Sequence, residues 1–297
     1  MQNNSFYSNI TLNLRGRLYL LDAPKVMGIL NVTPDSFYAG SRVSSEKELL
    51  DRAARMIAEG AHFIDIGGYS TRSLMVYNSP RPGAAPVTEA EELERVVPAI
   101  RALSTHFPDA LISVDTFRAS VAAQAVEAGA VLINDVTGGE GDAKMMETAG
   151  DLNVPYVLMH MRGTPGTMTS LTHYDNLLKD LAFYFQEKLT QLRSHGVKDV
   201  ILDPGFGFAK TVDQNFELLR QLSWFRDVFK LPLLVGLSRK SMIWRTLEST
   251  PEAALNGTTG LHMLALQQGA AILRVHDVKE AVECIALYQK TQQTLSV

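Results

Sequence analysis

Short apolar runs recur along the chain, and helix-like stretches separate them. The runs are rich in Val, Ile and Leu and nearly continuous in apolar residues, which is typical of strands buried on both faces of a parallel sheet. Eight are present: VMGILN (26–31), FIDIGG (63–68), LISVDT (111–116), VLINDV (131–136), YVLMHM (156–161), DVILDP (199–204), LPLLVGLS (231–238) and AILRVH (271–276). This alternation predicts an α/β fold, and eight units in one chain favour a (β/α)8 TIM barrel over a doubly wound open sheet.

The stretches between the strands have helical periodicity. They cover 46–58, 89–103, 120–128, 174–193, 215–225, 253–267 and 278–289, with a weaker segment at 143–149. Residues 10–22 instead alternate with period two around Gly16, which predicts a short N-terminal β-hairpin that plugs the bottom of the barrel. No linker rich in Pro, Gly or Ser divides the chain, so we predict a single domain over residues 1–297.

Composition excludes several classes of function. Lys and Arg total 28 against 32 Asp and Glu, a net charge of -4 that leaves no basic surplus for nucleic acid. The one cysteine, Cys284, excludes an intrachain disulfide and a cysteine metal cluster, and it fits a reducing compartment. The polar N-terminus lacks the pattern of a signal peptide, and no segment approaches the roughly 20 apolar residues of a membrane span. We therefore expect a cytoplasmic protein that binds neither nucleic acid nor membrane.

Polar residues interrupt the predicted strands mainly at their carboxyl ends. A helix cap or a turn explains any single one about equally well, but recurrence on so many strands favours a shared site, because these ends form the active-site mouth of barrel enzymes. The residues are Asn31, Asp115, Asn134, Asp135, His160, Asp203, Ser238, Arg239, Lys240, Arg274 and His276.

Two kinds of ligand group suit these side chains. Asp115, Asn134 and Asp203 offer hydrogen-bond acceptors and an amide donor, and Lys240 offers a further donor, a combination that fits a flat heterocycle such as a pterin or a guanine-like ring. Cationic donors that suit phosphate or diphosphate come from Arg72, Arg274 and His276.

A metal site is predicted at the end of the first strand. Asn31 could give a neutral oxygen to Mg²⁺, an ion that keeps several waters and needs few protein ligands. A turn asparagine ahead of Thr33-Pro34 is the alternative, and spacing does not separate the two.

Seven segments resemble the motif set of the dihydropteroate synthase family, in family order and over almost the whole chain. They are MGILNVTPDSF (27–37), FIDIGGYSTR (63–72), ISVDTFR (112–118), INDVTGG (133–139), ILDPGFGF (201–208), GLSRKS (236–241) and LRVHDV (273–278). The resemblance implies a (β/α)8 barrel, Mg²⁺ dependence and a homodimer. It also implies condensation of 6-hydroxymethyl-7,8-dihydropterin diphosphate with p-aminobenzoate, with sulfonamides as possible inhibitors.

The resemblance implies roles for single residues as well. Pterin contacts would be Asp115, Asn134, Asp203 and Lys240, with Met159 as an apolar neighbour. Diphosphate contacts would be Asn31, Arg72, Arg274 and His276, with Asn31 as the metal ligand. The p-aminobenzoate pocket would draw on Thr71, Phe208, Ser241 and Phe37. Asp115, Lys240 and Arg274 would carry catalysis.

One segment departs from the family pattern. The family passes from Ser-Thr-Arg directly to Pro-Gly-Ala, whereas Ser73 to Pro80 intervene here between Arg72 and Arg81. Two arginines, Arg72 and Arg81, therefore compete for one family position at the anion site. Arg72 is favoured because its distance from the second strand is the family's, and Arg81, delivered by the longer loop, is the alternative. We also hypothesise that the longer loop alters closure of the p-aminobenzoate pocket and its discrimination against sulfonamides.

Two other functions compete with the synthase. One is a methyltransferase that moves a methyl group from methyltetrahydrofolate to a corrinoid protein, for which the cations and NVTPDSF would be idle. The other is a noncatalytic pterin-binding partner, which loss of a site residue would indicate, and none of the expected residues is missing. A generic phosphate-binding barrel remains as background.

Overall fold

A two-stranded hairpin precedes the barrel in the computed structural model, which describes residues 10–32, 42–68, 87–164 and 167–292. Its antiparallel strands are β1 (Thr11–Leu14) and β2 (Arg17–Leu20). Arg15 and Gly16 form the turn with φ of 52° and 84°, the left-handed backbone that a tight two-residue hairpin requires. The predicted hairpin is therefore confirmed.

Eight parallel strands form the main sheet, in the order β8-β7-β6-β5-β4-β3-β10-β9. They are β3 (Lys25–Asn31), β4 (Phe63–Gly67), β5 (Leu111–Asp115), β6 (Leu132–Asp135), β7 (Tyr156–Met159), β8 (Val200–Asp203), β9 (Leu234–Val235) and β10 (Ile272–Val275). A parallel bridge between Leu202 and Leu233 links the two edge strands, and Leu202 N donates to Pro232 O at 2.9 Å. These contacts bring the sheet round into the predicted TIM barrel.

Helices follow the strands. Those described are α1 (Arg42–Ala58), α2 (Glu89–His106), α3 (Ala119–Ala128), α4 (Met145–Leu152), α5 (Leu177–Ser194), α6 (Val212–Arg220), α7 (Leu222–Phe229), α8 (Ser241–Thr246), α9 (Leu255–Gln267) and α10 (Val278–Gln292). The single helix predicted over 215–225 was wrong: α6 and α7 are separated at Gln221, whose φ of -106° and ψ of 12° depart from helical geometry. The short α8 was not predicted.

The hairpin plugs the bottom of the barrel. Leu12 and Leu14 pack into one buried cluster with residues near the amino ends of the strands, including Met27, Phe63 and Ile201. Asn13 N also donates to Asp199 Oδ2 at 2.7 Å, which ties the hairpin to the start of β8. Each large apolar side chain buried here stabilises the fold by about 1.5–3 kcal/mol. The barrel interior beside the hairpin is therefore apolar, and the hairpin covers this end of the barrel.

Candidate active site

A polar layer lies directly above the apolar plug. Side chains two residues apart on a strand face the same side, so the residues two positions after the plug residues also point into the barrel. Asp65 follows Phe63 in this way, Asn134 follows Leu132, Asp203 follows Ile201 and Arg274 follows Ile272. The strands thus change from apolar to polar side chains over two residues, and three of the predicted site residues, Asn134, Asp203 and Arg274, lie in this layer at the barrel mouth.

Arg274 is the centre of this layer. Its Nε donates to Asp65 Oδ2 at 2.6 Å and its Nη2 donates to Asp115 Oδ2 at 2.5 Å, so one guanidinium joins β10 to β4 and β5. Asn134 Nδ2 donates to the same Asp65 oxygen at 3.0 Å. Because the carboxylate can only accept, it fixes the amide with its carbonyl oxygen as the acceptor that remains for a ligand.

Burial dominates the ionisation of Asp115. Desolvation raises its pKa to about 7, while the Arg274 cation opposes that rise and the buried carboxylate of Asp65 adds to it. Burial also acts against the charge of Arg274, but the carboxylates of Asp65 and Asp115 outweigh it and raise the guanidinium pKa above its usual range. Arg274 is therefore a permanent cation, and Asp115 is a carboxylate whose charge responds to pH near neutrality.

Asp203 and Lys240 face each other from β8 and the start of α8. Asp203 Oδ1 accepts from Gly205 N at 2.8 Å, which fixes the turn that follows the strand. Burial raises the Asp203 pKa, and Lys240 is the first of the cations that oppose the rise. The Lys240 ammonium donates to the Phe206 carbonyl, and burial lowers its pKa to about 8. The pair offers one acceptor and one donor to a ligand that enters the mouth.

An apolar wall borders the charged layer. Met159 and Phe208 belong to one buried cluster with Val136, Met161 and Met168. Lys240 Nζ lies 4.6 Å from the centroid of the Phe208 ring, so the cation and the aromatic face are in contact range. The predicted pterin neighbour Met159 and the predicted p-aminobenzoate residue Phe208 therefore lie on the same side of the site. Ser241, the first residue of α8, is half-buried next to Lys240.

His276 follows β10 directly and is tied to Ser238. Ser238 Oγ accepts from His276 N at 3.2 Å and lies 2.9 Å from His276 Nδ1. These two contacts join the end of β10 to the residue that precedes Arg239 and fix the position of the imidazole ring.

Three strand-end residues do not join the site. Asp135 turns outward and accepts from Tyr156 OH at 2.6 Å and from Thr137 N at 2.7 Å. Arg239 makes a two-pronged ion pair with Asp277, with both distances 2.8 Å. His160 is buried and lies 3.0 Å from Lys210 Nζ. The expectation that every strand-end polar residue converges was wrong for these three, whose side chains stabilise turns and loops.

Several predicted residues fall outside the described ranges. These are Phe37, Thr71, Arg72 and Arg81, together with the insertion from Ser73 to Pro80. Asn31 is described: it is half-buried and ends β3 at the mouth. Among the described residues, no group of three or more His, Cys, Asp or Glu side chains could hold a metal ion.

No role was predicted from the sequence for Asp65 or Lys210, which the structure places beside the predicted site residues Arg274 and Asp203. Asp65 lies in the middle of β4, and a single carboxylate inside the otherwise apolar run FIDIG was a usable signal. Lys210 lies two residues after the segment ILDPGFGF (201–208), and no pattern in the sequence indicated a role for it.

Sequence and fold are both similar to known enzymes. Residues 27–276 match the model of the family described as pterin binding enzyme. The dihydropteroate synthase of Escherichia coli (strain K12) is 42% identical over 273 residues, covering 91% of this chain and 93% of that protein. The structure of the Yersinia pestis dihydropteroate synthase with a sulfonamide drug complex has a TM-score of 0.85 at 42% identity and covers 96% of this chain and 100% of that one. That of the Xanthomonas albilineans enzyme with 4-aminobenzoic acid has a TM-score of 0.83 at 38% identity, covering 96% and 98%.

Proposed function

The chain belongs to the pterin-binding enzyme family and has the transferase activity of a dihydropteroate synthase, and we propose that the Arg274-centred polar layer performs the reaction. The reaction joins 6-hydroxymethyl-7,8-dihydropterin diphosphate to p-aminobenzoate and releases pyrophosphate. A C–N bond forms at the exocyclic methylene carbon, and the C–O bond to the diphosphate breaks there. The observation that carries the proposal is the convergence of Asp115, Asn134, Asp203, Lys240 and Arg274 above the apolar plug.

The pterin ring is bound by complementary hydrogen bonds. Its amino and ring N–H groups need acceptors, which Asp203 and the Asn134 carbonyl supply, and Lys240 donates to the ring carbonyl or a ring nitrogen. The Lys240 ammonium donates to the Phe206 carbonyl, and this hydrogen bond holds it on the same side of the site as Asp203. Asp203 and Asn134 are buried and Lys240 is half-buried, so an analogue that leaves these groups unpaired is disfavoured.

Positive charge drives departure of the diphosphate. Arg274 is held as a cation by Asp65, and His276, one residue beyond the same strand, is the second proposed contact of the diphosphate. As the C–O bond breaks, positive charge develops on the methylene carbon and is delocalised into the reduced pterin. The Asp115 carboxylate beside Arg274 is placed to stabilise that charge.

Mg²⁺ is proposed as the cofactor. Asn31 would hold it through its neutral side-chain oxygen, with substrate oxygens and water as the other ligands. This fits a mouth whose described residues include no group of three or more His, Cys, Asp or Glu side chains that could hold a metal ion, since Mg²⁺ needs few protein ligands. When bound, the ion would neutralise charge on the leaving diphosphate.

The aminobenzoate is proposed to bind against the apolar wall. Its amine attacks the methylene carbon, and the nitrogen then loses a proton, so no protein nucleophile is needed and positioning supplies much of the rate. Phe208 supports this placement, because its ring lies beside Lys240 and shares a cluster with Met159. Thr71, Ser241 and Phe37 remain proposed contacts of the aminobenzoate, and Arg72 remains a proposed contact of the diphosphate. We expect sulfonamides to compete for this pocket, and deletion of residues 73–80 to change the KM for p-aminobenzoate or the inhibition constant for sulfamethoxazole.

A homodimer is proposed through the outer helices. Apolar side chains are exposed on three of them, Trp224 on α7 (38%), Leu264 on α9 (47%) and Leu287 on α10 (65%). Ser223 N donates to Gln268 Oε1, so the end of α9 lies beside α7. A second copy that covers this face would remove these groups from water. Sedimentation of the wild type and of Leu287→Asp tests it, since only the variant should run as a monomer.

A cytoplasmic location is also proposed. The support is the single thiol, Cys284, which is buried in α10 and free. No helix within the described ranges is long and apolar enough to cross a membrane. Cell fractionation with a tagged full-length chain would test the location.

Product formation with each component omitted tests the function. The purified protein, the pterin diphosphate, Mg²⁺ and p-aminobenzoate together should yield 7,8-dihydropteroate and one pyrophosphate per product. Asn134→Leu should abolish both products in a folded protein, because the buried Asp65 then loses its amide partner and the ring loses an acceptor. Pterin binding without turnover in the wild type would instead favour the noncatalytic partner or the methyltransferase.

A further inference from the structure

Lys210 is a buried cation that the mechanism above does not use. It is 8% exposed, and its Nζ lies 3.0 Å from His160 Nδ1, 3.0 Å from Gly205 O and 3.1 Å from Phe208 O. An ammonium group has three hydrogens to donate, and three acceptors surround it. This arrangement suits the charged form of Lys210 and requires that the neutral His160 carry its proton on Nε2.

The three acceptors belong to two neighbouring segments of the chain, which Lys210 joins. His160 comes directly after β7, whereas Gly205 and Phe208 belong to the segment that runs from the end of β8 to α6, residues 204–211 (the β8–α6 loop). The His160 carbonyl leaves no space for a side chain at Gly205, since a Cβ there would lie 2.0 Å from it. Lys210 therefore fastens a closely packed loop to the neighbouring strand.

The loop holds groups that the reaction needs. Its Phe206 carbonyl accepts from Lys240, and its Phe208 ring forms part of the apolar wall. Ala209 adopts a φ of +48°, a strained value for alanine, and Tyr174 OH donates to its carbonyl at 3.0 Å. This backbone conformation is held by hydrogen bonds from two side chains, Tyr174 to the Ala209 carbonyl and Lys210 to the Phe208 carbonyl.

The charge of Lys210 acts on Asp203 as well. The groups that face Asp203 are Lys240 at the start of α8, Gly205 N in the loop, Arg274 on β10 and Lys210, and all of them favour its ionised form against burial. The charged groups that face Lys210 are Asp203, Lys240 and Arg162 after β7; burial lowers its pKa to about 7, and Asp203 opposes that effect. Lys210 and Asp203 thus stabilise each other's charge across the loop.

We propose that Lys210 is a positioning residue of the synthase reaction, which holds the β8–α6 loop in place so that Lys240, Phe208 and Asp203 meet the substrates. Lys210 does not touch the substrates in this proposal. It acts through Lys240, Phe208 and Asp203, which do. The inference rests on the proposed function, so wild-type turnover must be measured alongside each variant.

Lys210→Met tests the proposal, because methionine keeps most of the length and removes the charge and the three hydrogen bonds. The KM for the pterin diphosphate should rise by roughly tenfold with a smaller change in kcat, since a small displacement of binding groups is enough for such a loss. Without the cation the Asp203 pKa rises further, so binding of the pterin should be lost at a higher pH than in the wild type. Lys198→Met is the matched control: Lys198 is exposed at the amino end of β8 and donates to Asn153 Oδ1. Lys198→Met should leave the KM for the pterin diphosphate and the pH at which pterin binding is lost unchanged.

A merely structural role predicts a different result. Lys210→Met would then lower the melting temperature but leave the KM and the acid limb of pterin binding in place, and that outcome would overturn the proposal. Tyr174→Phe provides a second test if Lys210→Met does not fold. It removes the tether at Ala209 without a change of charge, so the KM should rise by about threefold with the acid limb unmoved. An unchanged KM in folded Tyr174→Phe would also contradict the proposal.

Discussion

Asp65 and Arg274 form the buried ion pair around which the site is built, with Oδ2 of the carboxylate 2.6 Å from Nε of the guanidinium. The two residues are 209 positions apart in the chain, on β4 and β10. Asp65 accepts from Asn134 through the same oxygen, so it orients one residue predicted for the diphosphate and one predicted for the pterin. The Asp65 carboxylate thus orients one side chain in the proposed diphosphate region and one in the proposed pterin region.

Asp65→Asn should therefore impair both binding and folding. An unpaired buried charge is costly, and loss of one partner of a buried pair destabilises proteins by about 3–5 kcal/mol; we expect the lower end because Asp115 still pairs with Arg274. Denaturant unfolding and steady-state kinetics would measure the two effects. Asp51→Asn, on the exposed face of α1, is the control and should change neither. Wild-type kcat/KM in Asp65→Asn would contradict the role given to the pair.

Lys240→Ala should remove most of the turnover without unfolding the barrel. The substitution deletes the donor to the pterin and the cation that keeps Asp203 ionised, while the apolar plug at the other end of the barrel is untouched. We expect kcat/KM to fall by at least about a hundredfold, given the size of charge-assisted contacts. Lys47→Ala, exposed on α1, should behave as the wild type. A folded Lys240→Ala protein with near-normal activity would discredit the site.

The acid limb of kcat/KM should lie well above the ordinary range of a carboxyl group. Burial raises the Asp115 pKa to about 7, and the protonated form cannot stabilise positive charge on the pterin. Activity should thus be full above that pKa and fall as the pH drops through it. Asp115→Asn should lower the activity and remove the part of this limb that Asp115 causes, which leaves only the acid limb of pterin binding from Asp203. The prediction fails if the wild-type rate, followed in buffers of constant ionic strength, stays level down to about pH 5.

The hairpin should contribute stability without contributing to catalysis. Leu14 is 3% exposed within the plug, and Leu14→Ala should lower the free energy of unfolding by about 2–5 kcal/mol. Leu18 on the second hairpin strand is 79% exposed, so Leu18→Ala should change it by less than about 0.5 kcal/mol. Both variants should keep the wild-type kcat. A Leu14→Ala protein as stable as Leu18→Ala would mean that the hairpin does not close the barrel.

The sequence predicted the barrel because strands buried on both faces carry a continuous apolar signal. The one helix predicted over 215–225 shows the limit of that signal: apolar periodicity continues across Gln221, and nothing local marks the change of direction between α6 and α7. The plug was predictable from the alternation around Gly16, since a hairpin with one apolar face must bury that face.

The site was predictable in part. Polar residues at strand ends pointed to Asp115, Asn134 and Asp203, but the same rule included Asp135, whose partner Tyr156 lies behind the sheet. Whether the last residue of a strand faces inward depends on a pleat register that one position reverses. The contacts of Lys210 could not be predicted from the sequence, because its three partners meet only when the end of β7 and the β8–α6 loop pack together.

Calorimetric titration of the pterin diphosphate into the wild type and into Asn134→Leu tests most directly whether the polar layer is the pterin site. We predict saturable binding of one equivalent by the wild type, and affinity reduced by at least about tenfold in the folded variant, because a buried amide that faces both Asp65 and the ring is lost. Equal affinity in the two proteins would place the pterin elsewhere and contradict the assignment of the site.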